Sequence, residues 1–228
     1  LNEGDGVNTG NRKRFAVLGF DVETDIGSWG FTYNGVEQGV ERLLELLEQE
    51  SVEATFFWVG DTARQYPAIC RLTAENHEVG CHSLYHENVG PALFDVPGVQ
   101  PILPEEVQHR LELNTDIVAQ CIGTLPKSFR SPRLFGGTDV VNALEELEYE
   151  TDASLPMYYY GDRVEPYHPD ASDWTEVGEM RLLEVPNFCD LSMDSSDDFG
   201  RDRDQWPLFR TKGVKALMKH VDGHLQYL

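Results

Sequence analysis

The sequence predicts an α/β protein, a parallel sheet with covering helices, closed or nearly closed into a barrel. Three observations lead there. Short apolar runs of strand length alternate with longer stretches of helical periodicity along most of the chain. Acids follow the first apolar run and histidines the third, where an α/β sheet builds its site. The chain has 228 residues, 40% of them hydrophobic, so it can bury roughly 70% of its unfolded surface without staples.

The elements follow in order. Phe15 to Phe20 is a short run of buried-strand type, ending in Asp21-Val22-Glu23. Gly35 to Gln49 places Val36, Val40, Leu43, Leu44 and Leu47 at helical spacing, with Glu and Arg between them. Ala54 to Val59 is a second strand, stopped by Gly60. Asp61 caps a helix predicted to run through Ile69 to Asn76. Val79 to Cys81 is a third strand and leads into His82-Ser83-Leu84-Tyr85-His86. Four prolines between Pro91 and Pro104 predict an irregular loop. Pro104 opens a helix with Val107, Leu111, Thr115, Val118 and Ile122 on one face. Ser128 to Arg130, Tyr149 to Ala153 and Leu182 to Val185 read as strands, and Asp139 to Leu147 and Val214 to Val221 as helices. Met157 to Gly178 is a polar and aromatic excursion with little periodicity, and Leu225 to Leu228 looks like a strand beginning.

Composition narrows the function classes. A formal charge of −22 repels nucleic acid and anionic membranes. Among 18 basic residues 13 are Arg and 5 are Lys. Acid-rich, Lys-poor chains resemble proteins of salt-loving archaea, in which carboxylates keep the surface hydrated. Attraction of a cationic substrate or metal is the other use of such charge, but the acids are spread along the whole chain. No apolar run reaches 18 residues, so no membrane span is expected. Residues 1–14 form a polar, Gly-rich extension unlike a signal peptide, ahead of a single domain over 15–228. A cytoplasmic protein is the expectation. The chain opens on Leu rather than Met, which leaves room for an upstream piece. Cys70, Cys81, Cys121 and Cys189 have no paired spacing and fit buried free thiols, with Cys81 the last core-facing residue of its strand. The composition leaves oligomeric state open.

His82 and His86 carry the most chemistry. Four residues apart, they lie one helical turn apart and can face one point. A carboxylate from the end of a nearby strand supplies a third ligand, and two His with one carboxylate and an open position is how a catalytic divalent metal is held. Either piece alone is commonplace: strands end in polar loops, and histidine pairs arise by chance.

Together with later motifs, these residues resemble the polysaccharide deacetylases of carbohydrate esterase family 4, the NodB-homology fold. The resemblance runs from about Phe15 to the C-terminus. His82-Ser83-Leu84-Tyr85-His86 is similar to the family's His-Ser/Thr-x-x-His, and Asp21-Val22-Glu23 looks like an Asp-x-Glu variant of its first motif. Arg130-Ser131-Pro132-Arg133 stands where the family has Arg-x-Pro-Tyr. Asp152, Ser154, Leu155 and Glu184-Val185-Pro186 match later strands of one branch.

The resemblance implies a distorted (β/α) barrel of seven or eight strands and metal-dependent removal of N- or O-acetyl groups from an acetylated carbohydrate. It implies Glu23, His82 and His86 as ligands of Zn²⁺, with Co²⁺, Ni²⁺ or Mn²⁺ accepted by the same donors, and Asp25 as a lesser substitute for Glu23. Asp21 becomes the base, Arg130 the cation that keeps it ionised, and the Arg133 backbone N–H an oxyanion donor. Tyr85, Trp29 and Pro132 are candidates for sugar contact, with Tyr33, Phe94 and Tyr158 to Tyr160 as further aromatic candidates. The family's acidic His is expected beyond Leu228, so the sequence is truncated there or another residue protonates the leaving group. His220 and His224 come too early and read as surface residues. Two other readings are an amidohydrolase on a small non-sugar amide, allantoinase-like, and a carbohydrate-binding protein with a decayed site.

Overall fold

The computed structural model describes residues 16–25, 30–161, 163–191, 194–203 and 212–227. The predicted N-terminal extension and Trp29 lie outside them. Six parallel strands form one sheet in sequential order: β1 (Gly19–Val22), β2 (Thr55–Trp58), β3 (Glu78–Cys81), β4 (Ser128–Phe129), β5 (Thr151–Asp152) and β6 (Leu183–Glu184). Among the described residues six α-helices accompany them: α1 (Val40–Glu50), α2 (Gly60–Gln65), α3 (Pro67–Thr73), α4 (Pro104–Ile122), α5 (Thr138–Glu146) and α6 (Val214–Tyr227). Seven or eight strands were expected in the barrel. Among the described residues the sheet has six and is not closed, although its all-parallel order is that of a barrel wall.

Register fixes what the sheet presents. Val22, Trp58, Cys81, Phe129, Asp152 and Glu184 are successive partners across the six strands, one continuous row. The residues just beyond that row therefore emerge together at one edge of the sheet, and among them are Glu23, His82 and Arg130. The core beneath is built by Phe56, Trp58, Phe129, Leu111, Val118 and Leu144, all at most 1% exposed. α4 packs on α2, α3, α5 and β3, so it covers the middle of the sheet.

Several boundaries differ from the sequence pattern, each for a local reason. β1 starts at Gly19 because pairing with β2 begins there, the first rung being Thr55 N–H donating to Leu18 O. The helix predicted from Asp61 to Asn76 is two helices, because Pro67 lacks an N–H and sets Tyr66 at φ −122°, ψ 53°, outside the helical region. A wide helical turn over Gly35–Gly39 leads into α1. Leu225 to Tyr227 continue α6 rather than beginning a strand. Leu217, Val221, His224 and Leu225 recur at helical spacing and are its less exposed positions. His224 is thus no surface residue: it is 4% exposed, its ring edge-on to Phe188 at 4.9 Å between centroids. All four cysteines are buried and none is in a disulfide, and Cys81 closes β3.

Leu144 is fully buried on α5, and its carbonyl accepts from Tyr149 N–H just before β5. Leu144→Ala is expected to cost about 2–5 kcal/mol in chemical denaturation; a loss below 1 kcal/mol would mean that the helix layer collapses onto the sheet without it.

Candidate metal centre

Two acids leave β1 toward the edge where the parallel strands end. Asp21 is one-third exposed and Glu23 less so. On the next strand but one, His82 follows Cys81 directly, and its backbone N–H continues the ladder to Trp58 O at 2.8 Å. The chain from His82 to His86 is a loop, not the helical turn that the four-residue spacing suggests. Ser83 O and Leu84 O are already taken by Gly60 N–H and Asp61 N–H at the start of α2, so they are not available for helical bonding. Ser83 and His86 instead adopt positive φ, 60° and 59°. Two left-handed turns achieve what the helix was expected to do: the imidazoles face each other at 5.1 Å between centroids.

Glu23, His82 and His86 each offer one donor atom, and these atoms lie within 4.8 Å of one another. Glu23 Oε2 lies 2.6 Å from His86 Nε2, yet it has no hydrogen-bond partner of proper geometry among the described residues, and neither does His86 Nδ1. Buried polar atoms without partners are costly, and a cation bound between them removes the cost at Glu23. His82 Nδ1 sits 2.6 Å from Arg130 O. A carbonyl only accepts, so Nδ1 carries the proton and Nε2 keeps its lone pair for the centre. Burial holds His82 below its ordinary value, outweighing the raising influence of Asp21, and so keeps it in the neutral, ligating form. Two histidines and one carboxylate at these positions fit a divalent cation.

Asp21 lies beside that triad. Its Oδ1 accepts from Arg130 NH1 at 2.9 Å, and its Oδ2 faces His82 Nε2 at 3.7 Å. Burial pushes the Asp21 carboxyl up, but neighbouring His82 and Arg130 charge and the Arg130 hydrogen bond outweigh it, and the net direction is down. Because His82 is kept neutral, Arg130 is the partner that matters at neutral pH. The Arg130 guanidinium lies over the Phe57 ring at 4.4 Å and donates from Nε to Ala153 O at 3.2 Å. It also needs the bare backbone of Gly19, where a Cβ would come within 2.5 Å of its terminal nitrogen.

Arg133 follows on a tight turn with φ 59° and projects NH1 to His86 O at 3.2 Å and Asn88 Oδ1 at 2.8 Å. Burial lowers its pKa, and the nearby Glu23 charge opposes that shift. The resulting cleft, about 390 Å³, is lined by Asp21, Glu23, His82, His86, Phe94, Val96 and Arg133. Tyr85 is 53% exposed, Pro132 is buried at the start of the turn, and neither lines the cleft. Asp25 is no ligand: it accepts from Thr32, Asn34 and Gly35, and those bonds, with Gly35 N–H foremost, hold it well below the usual carboxylate range. Tyr33 packs on Tyr66, and Tyr158 is 8% exposed in a small core of its own. Sequence reasoning missed Val96, and also Asn88, a fully buried amide whose only signal was its place two residues after His86.

Fold and site together define an α/β protein with two histidines and one carboxylate, placed so that they could hold a metal ion, at the ends of parallel strands. A model of the polysaccharide deacetylases matches residues 10–151, and the chain belongs to that family. Among curated relatives it is 34% identical over 92 residues to a peptidoglycan-N-acetylglucosamine deacetylase of Bacillus cereus, covering 40% of this chain and 30% of that protein. It is 29% identical over 143 residues to a chitooligosaccharide deacetylase of a Bradyrhizobium species, covering 62% and 55%. The chain thus spans between about a third and about half of the length of these relatives. A Mycobacterium smegmatis structure assigned to the polysaccharide deacetylases shares the fold at TM-score 0.59 and 22% identity, covering 80% of this chain and 63% of that one. PuuE allantoinase shares it at 0.52 and 19%, covering 84% and 57%.

Calorimetric titration with Zn²⁺ is expected to give saturable binding near one equivalent. Glu23→Gln should weaken it by more than the 10- to 100-fold, or about that, typical of losing an outer partner. An unchanged Kd in that variant would remove Glu23 from the centre.

Proposed function

We propose that this protein is a divalent-metal-dependent hydrolase that removes N- or O-acetyl groups from a carbohydrate. One observation carries the reading. The ligand triad Glu23, His82 and His86 stands beside an Asp21 that has one oxygen tied to Arg130 and the other turned toward the triad. Its relatives are named as deacetylases of peptidoglycan N-acetylglucosamine and of chitooligosaccharide. The Asp21-Val22-Glu23 spacing supports placement in an Asp-x-Glu branch.

When bound, a divalent cation supplies Lewis acidity to the acetyl carbonyl and acidifies water; Zn²⁺ suits the donor set, which also accepts Co²⁺, Ni²⁺ and Mn²⁺. His82 presents a bare Nε2 because its other nitrogen is committed to Arg130 O. Asp21 takes the proton from the attacking water at Oδ2, while Oδ1 stays held by Arg130. We assign the Arg133 backbone N–H to the developing oxyanion; one such donor is commonly worth about 10²–10³ in rate. Phe94, which lines the cleft, is the sugar-facing aromatic, in place of Tyr85 and Pro132. Residues 15–228 act as one catalytic domain, supported by a main core running from β1 to the Tyr167–Leu182 segment. Four buried cysteines outside any disulfide support a reducing, cytoplasmic setting, and the charge of −22 supports one rich in salt.

Acetate release from a panel of acetylated saccharides, with and without metal, tests the activity. Asp21→Asn is expected to lower kcat by about 10²–10⁴ while metal content stays at the wild-type level. Full activity after exhaustive chelation, or in Asp21→Asn, would refute the mechanism. For the salt reading, raising KCl from about 0.1 M to about 1 M shortens the screening length from about 10 Å to about 3 Å. The thermal midpoint should rise with it; a level or falling midpoint counts against adaptation to salt.

A further inference from the structure

Behind Arg130 the sheet buries two more acids that the reaction above does not use. Asp152 and Glu184 are register partners on β5 and β6, and each is 0% exposed. One oxygen of each is satisfied. Ser154 Oγ donates to Asp152 Oδ1, while Ser154 N–H and Leu155 N–H donate to Glu184 Oε1 at 3.1 and 2.8 Å. Of the remaining pair, Asp152 Oδ2 and Glu184 Oε2, neither finds any other described group. Two buried carboxylates side by side repel each other and are desolvated at once, whereas one proton between them turns the repulsion into a hydrogen bond. Burial pushes both groups above their ordinary values, Glu184 further than Asp152, and the Asp152 charge adds to the effect on Glu184. Arg130, which bonds Ala153 O beside Asp152, favours the charge on Asp152, and the proton is assigned to Glu184. The charged or titratable neighbours of the pair are Arg130, which favours ionised Asp152, and Tyr167, whose N–H and carbonyl pair with Glu184.

The pair is wired to Arg130 on two sides. Ala153, next to Asp152, accepts from Arg130 Nε at 3.2 Å. Ser154 Oγ, donating to Asp152, accepts from Ser131 N–H at 2.8 Å, the residue after Arg130. Arg130 in turn holds Asp21 and, through its carbonyl, His82.

We propose that Asp152 and Glu184 form a carboxyl pair sharing one proton, whose single negative charge positions Arg130 against Asp21. Asp152 and Glu184 are positioning residues: they act on the reaction only through Arg130. The role of Arg130 rests on the deacetylase reading; the shared proton does not.

Infrared difference spectroscopy on the intact protein at neutral pH reads the proton directly. The wild type should show the C=O stretch of one buried protonated carboxyl, and Glu184→Gln should lack it. No such band in the wild type, or a band that survives Glu184→Gln, overturns the shared proton, whatever the enzyme does. Stability gives a second readout. With both carboxyls raised, the folded state holds a proton that the unfolded chain releases, so the pair's contribution is present at low pH and is lost as pH rises through about 6 and beyond. Glu184→Gln should flatten that fall; an unaltered slope argues against the pair. Kinetics test the positioning. Glu184→Gln keeps the charge on Asp152 and should retain kcat within about threefold, while Asp152→Asn/Glu184→Gln removes the charge and should lower kcat tenfold or more at unchanged KM and metal content. Wild-type kcat in the double variant overturns the positioning role. A metal-loaded wild type without deacetylase activity would sink the functional reading and leave the spectral result standing.

Discussion

Arg130 is the residue on which the site depends. Its carbonyl fixes the tautomer of His82, its NH1 holds Asp21, and its Nε reaches back to Ala153. Three strands are joined to the metal triad through one side chain and its own backbone. The geometry leaves little slack: the guanidinium is confined between the Phe57 ring and the bare backbone of Gly19. A lysine at this position would keep the charge but lose the planar fork that serves two acceptors in different directions.

Parallel register makes such convergence possible. One row of paired residues crosses all six strands from Val22 to Glu184, so a residue placed just after that row on any strand arrives at the same edge. Glu23, His82 and Arg130 occupy that position on three strands. The histidine loop is then clamped to the start of α2 by two backbone bonds, which converts a flexible five-residue stretch into a fixed pair of ligands. Acids that sit in the row itself, Asp152 and Glu184, are buried instead of presented. A shift of one position along a strand separates Glu23, presented at the edge, from Asp152 and Glu184, buried in the sheet.

Much of this was legible in the sequence, and the failures have physical causes. Asp21, Glu23 and His82 could be read because they close or follow short apolar runs of strand type, whereas His86 and Arg130 were legible only through the motifs that contain them. The meeting of Glu23 with the two histidines was legible as a type of site, but its route was not: a spacing of four suggested a helix, while carbonyls committed to α2 forced two left-handed turns. Tyr85 is a candidate as an aromatic residue of the histidine loop, yet it is 53% exposed and does not line the cleft, because aromatic character in a loop says nothing of direction. His224 was misread because a polar residue in a helix looks exposed, while here it fills a slot that its helix leaves for an apolar residue beside Phe188. Val96 came from a Pro-rich loop without periodicity, where pattern carries little information about direction; Phe94 of the same loop was legible only as one aromatic among several.

The bond network of Arg133 has an evolutionary corollary. Its guanidinium supports the His86 carbonyl and the Asn88 amide at once, so a change at position 133 removes a partner from both. A lineage that exchanges Arg133 for the tyrosine expected from the family pattern must also find new company for a fully buried asparagine. Covariation between residues 88 and 133 is the trace such coupled descent leaves, and an engineer restoring the aromatic ring would have to redesign both loops together.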